Sequence, residues 1–200
     1  MKVTIAKALF NSHSYSEYRK LISDLLFDGK STGNEQSEDL THYSSLNETR
    51  MDRLDKTMRI SDENSLKLKN LNGDYIWMVI SEGWCGDAAQ ILPILNKMTI
   101  ASENKIEMKI VLRDENEELM KLFLTNKKRA IPKLIIIDRE TGSVLDSWGP
   151  RPKGATNLIN DYKNKFGVIN EKAKIELQLW YLKDKGLSTQ EEITALMQNL

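Results

Sequence analysis

The segment with the clearest chemical potential places a thiol and a carboxylate two residues apart, in Ser81-Glu-Gly-Trp-Cys-Gly-Asp-Ala-Ala-Gln90. Cys85 is the only cysteine among the 200 residues, so it cannot form a disulfide within the chain. The thiolate is the nucleophile of disulfide exchange, and at a helix N-terminus the pKa of a cysteine can fall from about 8.5 to about 3.5–7.5. If Cys85 reacts, the other sulfur must come from another molecule.

Asp87 has opposing consequences for this thiol. A carboxylate in the first turn of a helix is stabilised by the helix dipole, but its negative charge beside Cys85 opposes formation of the thiolate. The carboxylate could also receive the thiol proton or orient an incoming ligand. The alternative is a residue that stabilises the helix N-terminus and has no chemical role.

The elements around Cys85 must hold it at a turn between a strand and a helix. Residues Tyr75 to Ser81 are a short apolar run rich in aromatic and β-branched side chains, which predicts a buried strand. A helical pattern follows from Gly86 to Ala101, and apolar residues then alternate from Ile106 to Leu112. This βαβ unit predicts two parallel strands, with Cys85 at the edge where open α/β sheets bind ligands.

The remaining helices and strands of the core can also be predicted from the sequence. The pattern predicts a helix over residues 115–124, a strand over 133–138, a strand over 143–148 and a helix over 153–166. The two strands are separated by Arg139-Glu-Thr-Gly142, which is typical of a hairpin. The predicted order is therefore β-α-β-α-β-β-α, in the α/β class.

Further helices are predicted on both sides of this core, over residues 14–28, 40–58, 62–71, 170–185 and 189–198. Ser14 with Glu17 forms a capping-box pattern, and Ser188 with Glu191 predicts the cap of the last helix. We expect residues 1–72 to be a helical extension packed on a core of residues 73–167, and residues 168–200 to add C-terminal helices. Together they should form a single compact domain.

Composition narrows the possible partners. The 29 basic and 29 acidic residues balance, so no charge excess favours binding to nucleic acid or to an anionic membrane. The first ten residues are too short and too interrupted for a signal peptide, and no later run has transmembrane length. We expect a cytoplasmic protein. The two histidines, His13 and His42, lie outside the core pattern, so neither a metal site nor a cofactor is predicted.

Trp84, Cys85 and Gly86 resemble the start of the thioredoxin-superfamily motif Trp-Cys-Gly-Pro-Cys, which lies at the same strand-to-helix junction. Pro93 matches the proline that kinks the active-site helix of that family. Ile131-Pro132 matches the family's cis-proline, which faces the cysteine across the site. The resemblance covers about residues 70–167 and implies a thioredoxin-like fold, with a four-stranded mixed sheet. The wider segments Glu82–Gln90, Arg113–Glu115 and Ile131–Leu134 are similar to uncharacterised bacterial thioredoxin-like proteins with a Trp-Cys-Gly-Asp-Ala motif.

Two positions depart from the superfamily motif, because Asp87 replaces its proline and Ala88 replaces its second cysteine. Ala88 cannot release a mixed disulfide, so any redox cycle must use one thiol and an external resolving thiol. The resemblance then implies a monothiol thiol-disulfide oxidoreductase that acts on a protein or a low-molecular-weight thiol or disulfide. Its catalytic residues would be Cys85 and Asp87, and its substrate groove would contain Trp84, Gly86, Ala88, Ile131 and Pro132.

The competing hypothesis is a redox-inactive thioredoxin-fold module that binds a protein partner in the same groove. Cys85 would then be a small apolar core residue, and the terminal helices would enlarge the binding surface. Two basic residues could affect the reactivity of the thiol. Arg129 and Lys133 would raise the electrostatic potential near Cys85 if they face it. Arg113-Asp-Glu115 should lie at the same sheet edge as Cys85.

Overall fold

A four-stranded mixed sheet lies at the centre of the computed structural model, which describes residues 1–200. The strands are β1 (Tyr75–Ser81), β2 (Ile106–Leu112), β3 (Lys133–Asp138) and β4 (Val144–Trp148). Their order is β2-β1-β3-β4; β1 runs parallel to β2 and antiparallel to β3, and β4 runs antiparallel to β3. The predicted α/β class, the β-α-β-α-β-β-α order of the core and its four-stranded mixed sheet are confirmed.

Nine helices surround the sheet: α1 (Lys2–Phe10), α2 (Tyr15–Phe27), α3 (Glu38–Thr57), α4 (Asp62–Lys69), α5 (Gly86–Ala101), α6 (Glu117–Leu122), α7 (Lys153–Phe166), α8 (Glu171–Asp184) and α9 (Leu187–Met197). The sequence pattern does not predict α1, which has no side-chain cap and a lysine in its last turn. None of the nine helices combines the length and the apolar character needed to cross a membrane.

The burial of β1 on both of its faces explains why the sequence of this central strand is continuously apolar. Trp77, Met78, Val79 and Ile80 are all fully buried, since helices cover both faces of the sheet at β1. On one side, α5 packs against α3, α4 and α9. This packing places the N-terminus of α5 at the carboxyl end of β1, with the chain reversing through Glu82, Gly83, Trp84 and Cys85.

The helix starts test the capping predictions. The Ser14 side chain accepts a hydrogen bond from the Glu17 N–H, and the Glu17 carboxylate accepts one from the Ser14 N–H, so the predicted capping box of α2 is confirmed. The predicted Ser188 cap is wrong. The cap of α9 is Gly186, whose φ of 77° closes a two-residue connection to α8, and Ser188 lies inside the helix with its hydroxyl donating to Asp184.

The hydrophobic core is shared by elements from the whole length of the chain. One cluster of 43 buried residues includes Tyr18 from α2, Trp77 from β1 and Ile193 from α9. The Trp77 indole N–H also donates to the Met197 sulfur across 3.4 Å. The terminal helices are therefore continuous with the core of the sheet.

Candidate functional site

Cys85 lies at the point where β1 ends and α5 begins, as the N-cap residue of α5. Its thiol donates to the Ile131 carbonyl oxygen over 3.4 Å, and the peptide bond between Ile131 and Pro132 is cis. The backbone N–H groups of Asp87 and Ala88, in the first turn of α5, act to lower the pKa of the thiol, although the Cys85 side chain accepts no capping hydrogen bond. The structure thus brings Cys85, Ala88 and the Ile131-Pro132 loop together as the sequence predicts.

Burial determines the protonation state of this thiol. Cys85 is only 8% exposed, and loss of solvent raises its pKa to about 12. The negative charge of Asp87 adds to this increase, whereas the two backbone N–H donors and the positive charge of Arg151 oppose it. In this arrangement the thiol is therefore protonated at neutral pH.

The Asp87 carboxylate is held by two partners, Arg151 and Tyr181. We call these three residues the Asp87 cluster. The Arg151 Nε donates to Asp87 Oδ2 over 2.6 Å, and the Tyr181 hydroxyl donates to Asp87 Oδ1 over 2.8 Å. Burial raises the pKa of the Asp87 carboxyl, while the charge of Arg151 and the hydroxyl of Tyr181 act in the opposite direction. Both carboxylate oxygens are engaged, and they join α5 to α8 and to the segment between β4 and α7.

Sequence reasoning missed Arg151 and Tyr181, which are 64 and 94 positions away from Asp87. The only local sequence feature that could have drawn attention to Arg151 is the Gly149-Pro150 pair that precedes it. Gly149 has a φ of 115°, and a β-carbon there would lie 2.4 Å from the Pro132 carbonyl oxygen. The two proline loops thus pack in close contact and bring Arg151 beside α5. No local signal distinguishes Tyr181 from other aromatic residues of α8.

The charged residues at the end of β2 lie at the same sheet edge as Cys85, as the topology predicts. The Arg113 guanidinium lies 4.8 Å from the centre of the half-buried Trp84 ring, and its Nε donates to Asp114 over 2.8 Å. The Asp114 N–H donates to the fully buried Glu82 carboxylate over 3.0 Å. These contacts fix the turn that carries Trp84.

The two basic residues that were considered as neighbours of Cys85, Arg129 and Lys133, contact other groups. Arg129 pairs with Asp114 and Glu117, and the Lys133 ammonium donates to the Gly149 carbonyl oxygen over 3.4 Å. Burial lowers the pKa of Lys133. Arg151, rather than either of these two residues, supplies the positive charge that acts on Cys85.

Helices α3 and α8, which lie outside the predicted core, pack beside the first turn of α5. The Asn47 side chain on α3 donates to the Gly83 carbonyl oxygen over 2.9 Å. A β-carbon on Gly86 would lie 3.8 Å from Gln178 Nε2 and 3.9 Å from Arg50 Nη1. Side chains from both terminal regions thus surround the turn that holds the thiol. The structure brings together no group of three or more His, Cys, Asp and Glu side chains that could hold a metal ion.

A cysteine at the start of the first core helix, facing a cis-proline loop on this mixed sheet, defines a thioredoxin-fold protein. A family model described as Thioredoxin matches residues 33–163, so the chain belongs to the thioredoxin family. The match begins before α3 and therefore includes part of the N-terminal extension. No curated protein matches the sequence significantly.

Two solved structures share the fold over nearly the whole chain. One is a protein of unknown function, PA1234, from Pseudomonas aeruginosa, with 16% identity and a TM-score of 0.57 over 94% of this chain and 98% of that one. The other is an HIV epitope-scaffold with 17% identity and a TM-score of 0.57, over 94% of this chain and 99% of that one. At such low identity these similarities establish the fold alone, and they extend beyond the central sheet to the terminal helices.

Proposed function

We propose that this protein is a monothiol thiol-disulfide exchange protein in which Cys85 is the nucleophile. The observation that supports this proposal is the position of Cys85 as the N-cap residue of α5, where the backbone N–H groups of the first helical turn and the helix dipole favour a negative charge. Such donors stabilise a thiolate once it forms. The carbonyl group of Ile131, 3.4 Å away, marks the side from which an extended peptide or a small disulfide would approach.

The exchange balances without an added oxidant. Cys85 loses its proton, and its thiolate attacks one sulfur of a disulfide RSSR′, so that a Cys85–SR bond forms while the S–S bond of the substrate breaks. The leaving thiolate is protonated to R′SH. An external thiol R″SH, as its thiolate, then attacks the SR sulfur, which yields RSSR″ and returns Cys85 to the thiol. Ala88 cannot take part in this second step.

We further propose that α8 must move before this chemistry occurs. Cys85 is protonated and nearly inaccessible while Tyr181 and Gln178 hold α8 against α5. Displacement of α8 would hydrate the thiol and lower its pKa, since burial is the largest cause of the increase. In this scheme Asp87 is a positioning residue, because both of its oxygens already bind partners. Trp84, Gly86, Pro132 and their neighbours would line the substrate groove.

Mass spectrometry tests the exchange reaction. The native protein is incubated with glutathione disulfide and then with a second thiol. We expect one glutathionyl adduct on the wild-type chain, its release by the second thiol, and no adduct on Cys85→Ser. If the native chain forms no adduct but the same chain forms one in urea, Cys85 is reactive only when the protein is unfolded, and the proposal fails.

The second candidate is the redox-inactive binding module. The burial of Cys85 and its raised pKa favour this function, because both oppose nucleophilic attack by the resting protein. Cys85 would then serve as a small apolar side chain between α5 and the Ile131-Pro132 loop. Under this hypothesis the Cys85→Ser variant retains full activity in whatever partner interaction the groove provides.

A further inference from the structure

A cavity of about 400 Å³ lies between α3, α5 and the connection from α8 to α9. Its volume falls in the range of about 300–1,000 Å³ that is typical of small-molecule sites. The floor is formed by buried residues, and most of it is apolar: Leu54, Met58, Ile94, Gln90, Tyr181 and Gly186. Exposed side chains form the rim. We call this site the basic cavity, because three of its rim residues are cations: Arg53, Arg59 and Lys185.

The charges of the basic cavity are unbalanced. No acidic side chain lines it, and none of the three rim cations forms a salt bridge. Arg59 donates to the carbonyl oxygens of Lys56 and Met58, which leaves its charge uncompensated. The nearby Asp184 is directed away and accepts hydrogen bonds from Ser188. In a chain whose acids and bases are equal in number, this is a local excess of positive charge.

A fourth cation adds to the same potential. Arg50, one turn before Arg53 on α3, forms no salt bridge, and its guanidinium donates to the Asn47 side chain over 2.7 Å. Burial and the charge of Arg53 both lower the pKa of Arg50. A bound anion at the rim would relieve this repulsion between like charges.

We infer that the basic cavity binds a small amphiphilic anion, an aliphatic carboxylate of medium chain length. The aliphatic chain would pack on the buried apolar side chains of Leu54, Met58 and Ile94 and remove their remaining surface from water. The carboxylate would remain at the rim among Arg53, Arg59 and Lys185, whose flexible side chains can reach it. A cationic or a neutral ligand would leave the rim charges uncompensated.

The basic cavity is separate from the thiol but adjoins its supports. Cys85 is not among the lining residues, whereas Tyr181, which donates to Asp87, and Gln90, which donates to Gln178 on α8, both are. Binding therefore does not require exchange chemistry. The Cys85→Ser variant should bind the carboxylate with unchanged affinity, so failure of the proposed redox function would leave this inference intact.

Isothermal titration calorimetry with decanoate, below its micelle concentration, tests the inference on the full chain. We expect saturable binding of one decanoate per protein, and no saturable binding of decyltrimethylammonium, which has the same chain and the opposite charge. The triple variant Arg53→Gln, Arg59→Gln, Lys185→Gln should bind at least about tenfold more weakly, equal to about 1.4 kcal/mol. The matched control Lys7→Gln, Lys128→Gln, Lys163→Gln removes the same charge at distant exposed sites and should change the affinity less than about twofold.

A second variant keeps the test decisive if the triple variant is poorly folded. Leu187 is 49% exposed at the rim, so Leu187→Glu adds an acid there without removing a core residue. It should abolish decanoate binding and leave the circular dichroism spectrum unchanged. The inference is overturned if wild-type protein shows no saturable binding, if decyltrimethylammonium binds equally well, or if the control variant loses as much affinity as the rim variants.

Discussion

The reactivity of Cys85 depends on a competition between local donors and burial. The start of α5 provides two backbone N–H groups that favour the thiolate, and Arg151 adds a positive charge. Removal of the sulfur from water outweighs them, because only 8% of the residue is exposed. A motif that matches the family at Trp84, Cys85 and Gly86 therefore carries a thiol with a raised pKa.

The sequence could identify Cys85 and its turn, but it could not predict the direction of this pKa shift. The position follows from the local change between a strand pattern and a helix pattern. The burial depends on tertiary packing: the Ile131 carbonyl contacts the thiol, and side chains of α3 and α8, from regions far away in the chain, pack beside Gly83 and Gly86. For the same reason, a sequence that shows Asp87 beside Cys85 does not show that Arg151 and Tyr181 occupy both of its oxygens.

The pH dependence of alkylation should follow the raised pKa of Cys85. We expect the rate with iodoacetamide to remain low at pH 7–9 and to rise steeply only above it, as the thiolate fraction grows toward the pKa of about 12. Asp87→Asn should shift the curve to lower pH, since the charge of Asp87 is the second cause of the increase. Cys85→Ser provides the blank. A wild-type midpoint below about 8.5 would contradict the dominance of burial.

At the scale of elements, the regular core was readily predictable. The limits of β1, β2, β3, α5 and α7 agree with the sequence patterns. Pro132 precedes β3, and α7 lies between Pro152 and Gly167, which are residues that commonly mark the ends of elements. The predicted start of α9 at residue 189 was wrong. Gly186, at positive φ, is the cap, and the helix begins at Leu187, so the Ser188 hydroxyl does not cap it. Helix α6 is also shorter than predicted, over Glu117–Leu122.

The contact between the two proline loops is the element-scale feature that local patterns do not show. Gly149 brings the Arg151 segment against Pro132, and this approach is possible only without a side chain. The Asp87 cluster therefore depends on a glycine that does not itself contact Asp87. A substitution there tests whether the loops are held as closely as the structure indicates.

Gly149→Ala should be much more destabilising than an alanine at another glycine with positive φ. A β-carbon at 149 would clash with the Pro132 carbonyl oxygen at 2.4 Å, in addition to the cost of φ 115°, so we expect a loss of about 3 kcal/mol or more. At Gly142, where φ is 66°, an added β-carbon would meet no other atom within 4 Å, so Gly142→Ala should cost only about 1 kcal/mol. Urea denaturation measures both. Equal losses would show that the loop contact carries little stability.

At the scale of the whole molecule, the terminal helices both complete the core and restrict the site. The family match over residues 33–163 ends before α8, yet Tyr181 on α8 holds Asp87 and Ile193 on α9 is fully buried. The net charge of the chain also does not predict its local charges. The numbers of acidic and basic residues are equal, yet the cations at the rim of the basic cavity have no acidic partners. Such features depend on tertiary packing, and for that reason composition alone does not predict them.

The shared core predicts that the chain unfolds as one cooperative unit. Met197 is 2% exposed and accepts a hydrogen bond from the Trp77 indole in the central strand, so Met197→Ala should cost about 2–5 kcal/mol. Urea unfolding followed by circular dichroism and by tryptophan fluorescence should give coincident transitions, both moved to lower urea by this variant. Leu179→Ala removes a 48% exposed side chain from α8 and should change stability by less than about 0.5 kcal/mol. Transitions that do not coincide would show that the terminal helices unfold independently of the sheet.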